Sequence, residues 1–190
     1  FVDEGADFRN YTYAKYGREV LAQPGQFAWQ IFDQKVAQLL RDEYRIKQVT
    51  KVTAQTLEVL VQKLEDVDAD AALQTLQSYN AAVDDTNAFN PNIKDGRATV
   101  GLGLNKTNWA NRLDEPPFEA YAITCGITFT FGGLRITNAG QVMDVDLEPI
   151  NGLCAAGEVI GGIFYGNYPG GSGLMSGAVF GKIAGLSAAA

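Results

Sequence analysis

Gly170-Gly171-Ser172-Gly173-Leu174-Met175-Ser176-Gly177-Ala178-Val179-Phe180-Gly181-Lys182-Ile183-Ala184-Gly185-Leu186 reads as a short glycine loop running directly into a helix. Gly173, Gly177, Gly181 and Gly185 recur at spacings of four, which is one row along a helix. A glycine inside a helix costs roughly 1 kcal/mol relative to alanine, so the row needs a compensating gain. Bare backbone, which lets another element approach closely, supplies one. A membrane-dimer stripe of small residues does not fit, because Leu174–Leu186 is only 13 residues long and a span needs about 20. A flexible linker does not fit either, since linkers join domains and do not open helices. A loop of this kind aims backbone N–H groups at one point, at the positive end of a helix dipole. Phosphate, carboxylate or an anion delocalised over a ring suits such a point; helix packing alone is the other reading.

Composition changes sharply along the chain. Residues 1–125 hold 31 of the 37 charges and 6 of the 21 glycines, whereas residues 126–190 hold 6 charges and 15 glycines. The first stretch is expected to be an amphipathic α+β unit, and the second a set of short buried strands with tight turns. A hydrophobic fraction of 46% excludes a disordered chain, and a net charge of −7 argues against a nucleic-acid or anionic-lipid surface. The absence of histidine removes a His general base, a Ser-His-Asp triad and any His-ligated metal, so no metal site is expected. Phe1 falls within what reads as a strand, which is expected of a piece cut from a longer protein. Cys125 and Cys154 lie in apolar runs and read as two free, buried thiols in a reducing cytoplasm.

Within the first stretch, Phe27–Phe32 predicts a strand ended by Asp33, followed by a helix near Gln34–Tyr44. Thr53 is a candidate cap for a helix bearing Leu57, Leu60, Val61 and Leu64. Asp68 or Asp70 is a candidate start for another, with Ala72, Leu76, Tyr79 and Val83 on one face. Asn90-Pro91-Asn92 and Asp95-Gly96 mark a loop, and Pro116-Pro117 opens an extended segment over residues 118–124. In the second stretch, Asn138-Ala139-Gly140 predicts a three-residue hairpin turn between 134–137 and 141–144, with Gly140 at positive φ. Leu153-Cys154-Ala155-Ala156 predicts a short buried strand.

Ala155-Ala156-Gly157-Glu158-Val159-Ile160-Gly161-Gly162, then Gly170-Gly171-Ser172-Gly173-Leu174, resembles the C-terminal flavin segment of the fumarate reductase/succinate dehydrogenase flavoprotein superfamily. Thr130-Phe131-Gly132-Gly133-Leu134 resembles its Thr-x-Gly-Gly element, and Phe1-Val2-Asp3-Glu4 a segment of its substrate-capping domain. Residues 6–11, 108–113, 126–131 and 164–169 are most similar to its FAD-dependent tricarballylate dehydrogenase branch. The resemblance implies part of a substrate-capping domain (1–125) plus the C-terminal strands and final helix of an FAD-binding domain (126–190). The implied activity is desaturation of tricarballylate to cis-aconitate by an FAD-dependent oxidoreductase acting on CH–CH bonds. Electrons would pass to a membrane-associated partner.

The pyrophosphate-binding Gly-x-Gly-x-x-Gly turn is not in this chain; Gly101-Leu102-Gly103 is the nearest run, and it lacks the third glycine and the βα setting. The piece alone is therefore expected to be inactive. By the same resemblance, Gly171, Ser172, Gly173, Leu174 and Met175 would face the flavin, and Glu158 would bond FAD hydroxyls. Arg9 aligns, after one inserted residue, with a proton-transferring Arg. A guanidinium stays protonated, so Asp7 as a relay, or Tyr11 or Tyr13 as donor, are alternatives; a carboxylate clamp also suits Arg9. Thr128 and Phe129 stand where fumarate reductases carry a His pair, and Tyr168 where they carry an Arg, a departure from simple fumarate/succinate chemistry. Thr128, Thr130 and Tyr168 would supply neutral hydrogen bonds to substrate. Arg112 or Lys106 would supply charge, unless Arg112 pairs with Asp114 on a surface. A fumarate-reductase-like or 3-ketosteroid-dehydrogenase-like flavoenzyme, and a non-catalytic anion-binding module, are the alternatives.

Overall fold

The computed structural model describes residue 3 and residues 13–190. The chain divides into two compact units, Phe1–Cys125 and Gly126–Ala190. Both mix helix and sheet, and the first is the α+β unit expected.

The first unit is organised around a three-stranded antiparallel sheet of order β1-β3-β2, formed by β1 (Phe27–Phe32), β2 (Lys51–Ala54) and β3 (Phe118–Thr124). Ile31 and Val52 both lie opposite Ala120, and Ala54 opposite Phe118. Alternation along β3 turns Phe118 and Ala120 toward Leu60 and Leu64, and this face with Ala54 makes the buried core. Trp29, Ile31, Val52, Leu57 and Leu113 pack around it. The other face carries a ring cluster of Phe32, Tyr44 and Tyr121, with Tyr44 and Tyr121 centroids 4.9 Å apart and edge-to-face. Glu119 accepts from Tyr121 Oη (2.6 Å) and Lys51 Nζ (3.0 Å) there. Burial pushes its carboxyl up, but those two donors prevail and hold it below the usual range.

Three helices flank the sheet: α1 (Tyr13–Leu21), α2 (Leu57–Val61) and α3 (Ala69–Ala82). Asp68 caps α3 by accepting from Ala71 N at 3.0 Å, as its position predicts. The cap of α2 is Thr56, whose Oγ1 accepts from Val59 N at 3.2 Å. Thr53 lies within β2 instead, because Lys51–Ala54 completes the sheet beside β3. No continuous helix forms over residues 34–44 either. Two 3-10 turns, Gln34–Leu39 and Asp42–Arg45, are separated by extended backbone at Leu40 and Arg41. Tertiary demands override the local tendency: Asp33, 2% exposed, binds Lys35 N, Asp114 N and Glu115 N. At the other end, Tyr44 is drawn onto the sheet, with its hydroxyl 2.6 Å from Gln30.

Side chains organise the long loop after α3. Asp95 accepts from the amides of Trp109 (2.9 Å), Arg97 (3.0 Å) and Asn90 (3.1 Å). Asn108 Oδ1 accepts from Gly96 N at 2.9 Å, at a backbone φ of 68° that suits glycine.

The second unit holds an antiparallel pair, β4 (Gln141–Met143) and β5 (Pro149–Cys154), and the helix α4 (Ser172–Ala188). The expected hairpin turn is present: Gly140 N donates to Thr137 O at 2.9 Å, with Gly140 at φ 79°. A Cβ on Gly140 would stand 3.0 Å from Ala184, so the turn packs directly on α4. Ser187 Oγ donates to Ala139 O at 2.7 Å and fixes that contact. The buried-strand reading of Leu153–Ala156 is corrected. β5 ends at Cys154 and is largely exposed, Leu153 at 45%. Cys125 and Cys154 are free thiols but half-buried rather than buried. Among the described residues, no helix is long and apolar enough to cross a membrane.

Burial, the largest influence on Asp95, pushes its carboxyl up, and the amide bonds from Trp109, Arg97 and Asn90 outweigh it, leaving the carboxyl below its ordinary range. Its contribution is therefore complete above the unfolded carboxyl range, about pH 4, and is lost as pH falls through the lower folded value. Asp95→Ala is expected to lower stability by about 2 kcal/mol in urea titrations at pH 7, with the difference from the parent shrinking below about pH 4.

Candidate functional site

The glycine loop and helix anticipated at residues 170–186 form the open end of α4. Gly171 is the N-cap, in left-handed backbone at φ 83°, and no side chain caps the helix. Ser172 N and Ser172 Oγ both turn back to Pro169 O, at 3.1 and 2.6 Å. Met175 N donates to Gly171 O at 3.1 Å and starts the helical ladder. The amides of Gly173 and Leu174 are left without a backbone acceptor among the described residues, as the first turn of a helix requires. A Cβ on Gly171 would meet nothing within 4 Å, and Leu174 and Met175 are 83% and 61% exposed. The mouth is open, at the end of α4 that carries roughly half a positive charge.

The glycine row does not bury one continuous face. A Cβ on Gly173 would lie 2.8 Å from the Phe129 ring and one on Gly177 3.9 Å from Gly157 Cα, whereas Gly181 and Gly185 face nothing within 4 Å.

Glu158 and Thr130 are brought together. Thr130 N and Thr130 Oγ1 both donate to Glu158 Oε1, at 2.8 and 3.1 Å. A close crossing of two backbones places them: Leu134 N donates to Val159 O (2.8 Å) and Gly161 N to Leu134 O (2.9 Å). A Cβ on Gly133 would stand 2.3 Å from Val159 O, and one on Gly161 2.5 Å from Gly133 N. Only glycine fits at either position, which is the physical content of the Thr-x-Gly-Gly element. Thr130 is thus engaged with Glu158, while Thr128 is exposed.

Tyr168 joins a ring cluster that sequence reasoning did not assemble. Phe129 lies 4.8 Å from Tyr168, 5.5 Å from Phe164 and 6.1 Å from Phe131, centroid to centroid. The signal was present in the spacing, rings two apart at 129 and 131 and four apart at 164 and 168, but nothing local joins the two pairs.

Arg112, in the first unit, is held within its own fold. Its guanidinium pairs with Asp85 and donates to Asn80 O and Val83 O, both at 3.2 Å, fastening the C-terminus of α3. Asp114 is paired with Lys35 rather than with Arg112. A hollow of about 300 Å³ lies here, lined in part by Lys35, Phe89, Arg97, Arg112 and Asp114. Its cations are already engaged: Lys35 also meets Asp33 at 2.6 Å, and Arg97 donates to Ala110 O and Asn87 O, both at 2.7 Å. Burial tends to lower the Lys35 pKa, but its bonds to Asp114 and Asp33 prevail and hold it above the usual lysine value. Lys106 lies in the loop, half-buried, with its amide 2.7 Å from Thr99 Oγ1. Asp7, Arg9 and Tyr11, and the Tyr13 side chain, lie outside the described residues.

The FAD binding domain family matches residues 4–174. The chain belongs to that family. It is 35% identical over 94% of its length to a probable fumarate reductase of Shewanella frigidimarina, and spans 28% of that relative. It is likewise 35% identical over 94% of its length to the NADH:fumarate oxidoreductase of Klebsiella pneumoniae, spanning 18% of it. The open conformation of a flavocytochrome c3 fumarate reductase superposes on the whole chain with a TM-score of 0.72 at 29% identity, and the chain spans 30% of that structure. The FAD binding domain chain thus covers less than a third of these relatives. Its own geometry fits the ring end of a flavin: two first-turn amides lack a backbone acceptor among the described residues, and Glu158 keeps its second oxygen clear of Thr130. Gly101-Leu102-Gly103 sits in an exposed loop, with Leu102 N bonded to Asn105 Oδ1, and is no pyrophosphate turn.

The Gly133–Gly161 crossing gives a direct test. Gly133→Ala is expected to lower stability by more than about 3 kcal/mol, because backbone must separate. Gly132→Ala, whose Cβ would meet nothing within 4 Å, is expected to stay close to the parent in the same denaturant titration.

Proposed function

We propose that the chain is part of a fumarate-reductase-like flavoenzyme that transfers hydride across a carbon–carbon bond beside a carboxylate. The observation that carries this reading is the uncapped mouth of α4, with the amides of Gly173 and Leu174 left without a backbone acceptor among the described residues, in a chain of the FAD binding domain family. FAD, when bound, supplies the hydride chemistry.

The chain's own residues have separate tasks. The amides of Gly173 and Leu174, at the positive end of α4, stabilise negative charge on whatever ring edge meets them, as oxyanion-hole donors do. Glu158, oriented by two bonds from Thr130, presents its other oxygen to a hydroxyl of the cofactor. Thr130 acts through Glu158 and is a positioning residue. Arg9 clamps a substrate carboxylate with its planar fork, and Asp7 or Tyr11 carries the proton. Thr128 and Tyr168 contribute neutral hydrogen bonds to substrate. Arg112, three of whose N–H groups hold α3, is assigned no separate task in this reading.

The two fumarate-active relatives favour this reading over tricarballylate desaturation with a membrane-associated electron partner. That second reading rests on the resemblance of residues 6–11, 108–113, 126–131 and 164–169.

Two measurements test these assignments on the flavoprotein that carries the chain. Thr130→Val removes one bond to a charged acceptor, worth about 1.5 kcal/mol, and is expected to weaken FAD binding about tenfold by fluorescence titration. Thr130→Ser is expected to restore it. In anaerobic stopped-flow, Arg9→Gln is expected to retain flavin while its reduced form is reoxidised by fumarate at least a hundredfold more slowly. A colourless parent protein would instead favour a non-catalytic anion-binding module.

A further inference from the structure

Phe129, Phe131, Phe164 and Tyr168 form one continuous ring cluster, and its central member, Phe129, lies against the backbone of Gly173 in the first turn of α4. A Cβ at Gly173 would approach that ring to 2.8 Å, so the helix mouth and the cluster share a boundary. All four rings are half-buried and keep part of their surface open.

Within residues 126–190 the charge is of the wrong kind for a dianion. Residues 126–190 contain two cations, Arg135 and Lys182, against four carboxylates. Lys182 is ten residues into α4, about 15 Å along the axis from the mouth. Glu158 is bonded to Thr130, the residue next to Phe129, and adds negative charge close by. Aromatic faces carry negative quadrupole density, which disfavours a carboxylate lying on them and favours the edge or offset face of another ring. Thr130 has its hydroxyl committed to Glu158, which leaves exposed Thr128 as the neutral hydrogen-bonding neighbour.

We propose that the Phe129–Tyr168 cluster is a specificity surface selecting an unsaturated acid whose alkene is conjugated to an aromatic ring, in preference to a bare four-carbon dicarboxylate. The inference rests on the flavin reading of the α4 mouth and names the substrate class of that same site. The ring of the ligand packs on Phe129 and Tyr168, and its single carboxylate needs one cationic clamp rather than two.

The test is equilibrium binding to the oxidised flavoprotein, without turnover, by calorimetry and by perturbation of the flavin absorbance, with cinnamate and fumarate as probes. Cinnamate is expected to bind at least tenfold more tightly than fumarate. Phe129→Ala is expected to weaken cinnamate fivefold or more while leaving fumarate within twofold, and Tyr168→Ala, which also removes a hydrogen bond to either acid, is expected to weaken cinnamate at least fivefold more than it weakens fumarate. Phe129→Leu keeps an apolar side chain against Gly173 without a ring and is expected to keep the fold yet lose most of the preference. Tyr168→Phe keeps the ring and is expected to keep the preference for cinnamate over fumarate, while weakening both acids alike through the lost hydroxyl. Tighter binding of fumarate than cinnamate, or cinnamate affinity unchanged in both alanine variants, overturns the proposal. Flavin content is measured on the same samples: a parent protein without flavin overturns the reading of the α4 mouth itself, and this proposal with it.

Discussion

The crossing of two bare backbones at Gly133 and Gly161 is the constraint on which the second unit depends. Two hydrogen bonds, Leu134 N to Val159 O and Gly161 N to Leu134 O, hold the strands closer than any side chain would allow. Everything functional in the unit is measured from that point. Thr130 lies three residues before Gly133 and Glu158 three before Gly161, so the crossing brings the hydroxyl and carboxylate into contact. Phe129 and Phe131 alternate around Thr130 and meet the rings of Phe164 and Tyr168. Phe129 in turn seats against Gly173, in the first turn of α4.

The two units solve their polar problems differently. In the first, carboxylates, buried at Asp33 and half-buried at Asp95, substitute for regular structure. Asp33 gathers amides from Lys35, Asp114 and Glu115, and Asp95 gathers those of Asn90, Arg97 and Trp109. A carboxylate accepting several N–H groups holds a loop as firmly as a short ladder does, because each bond is charge-assisted. The second unit has few charges and relies on close backbone contact, turns at positive φ and ring packing. At the α4 mouth this leaves dipolar amides as the positive groups, which suit a diffuse negative charge better than a concentrated one.

Segments whose structure follows from local chemistry were legible. β1 and β3 appear at the residues their apolar runs predict, Asp68 caps α3, and Gly140 turns the hairpin. Elements that depend on distant partners were not. Residues 34–44 have enough helical character to suggest one helix, yet Asp33 and Tyr44 are bound elsewhere and split it. Thr53 and Thr56 are equally good caps by type, and pairing of Lys51–Ala54 with β3 decides between them. Arg112 is a plausible carboxylate ligand from its neighbours alone; its bonds to Asn80, Val83 and Asp85 come from residues about thirty positions away.

Sequence by itself determined the division into a charged stretch and a glycine-rich one, the amide-rich entrance to the last helix, and the superfamily resemblance of the flavin segment. Each of these is written in residue type and spacing, which local sterics and backbone dipoles convert directly into structure. Tertiary structure alone decided that Thr130 holds Glu158, that Arg112 is tied to α3, and that four rings converge beside Gly173. Those outcomes arise from pairings between segments far apart in the chain, and no periodicity within one segment encodes its distant partner.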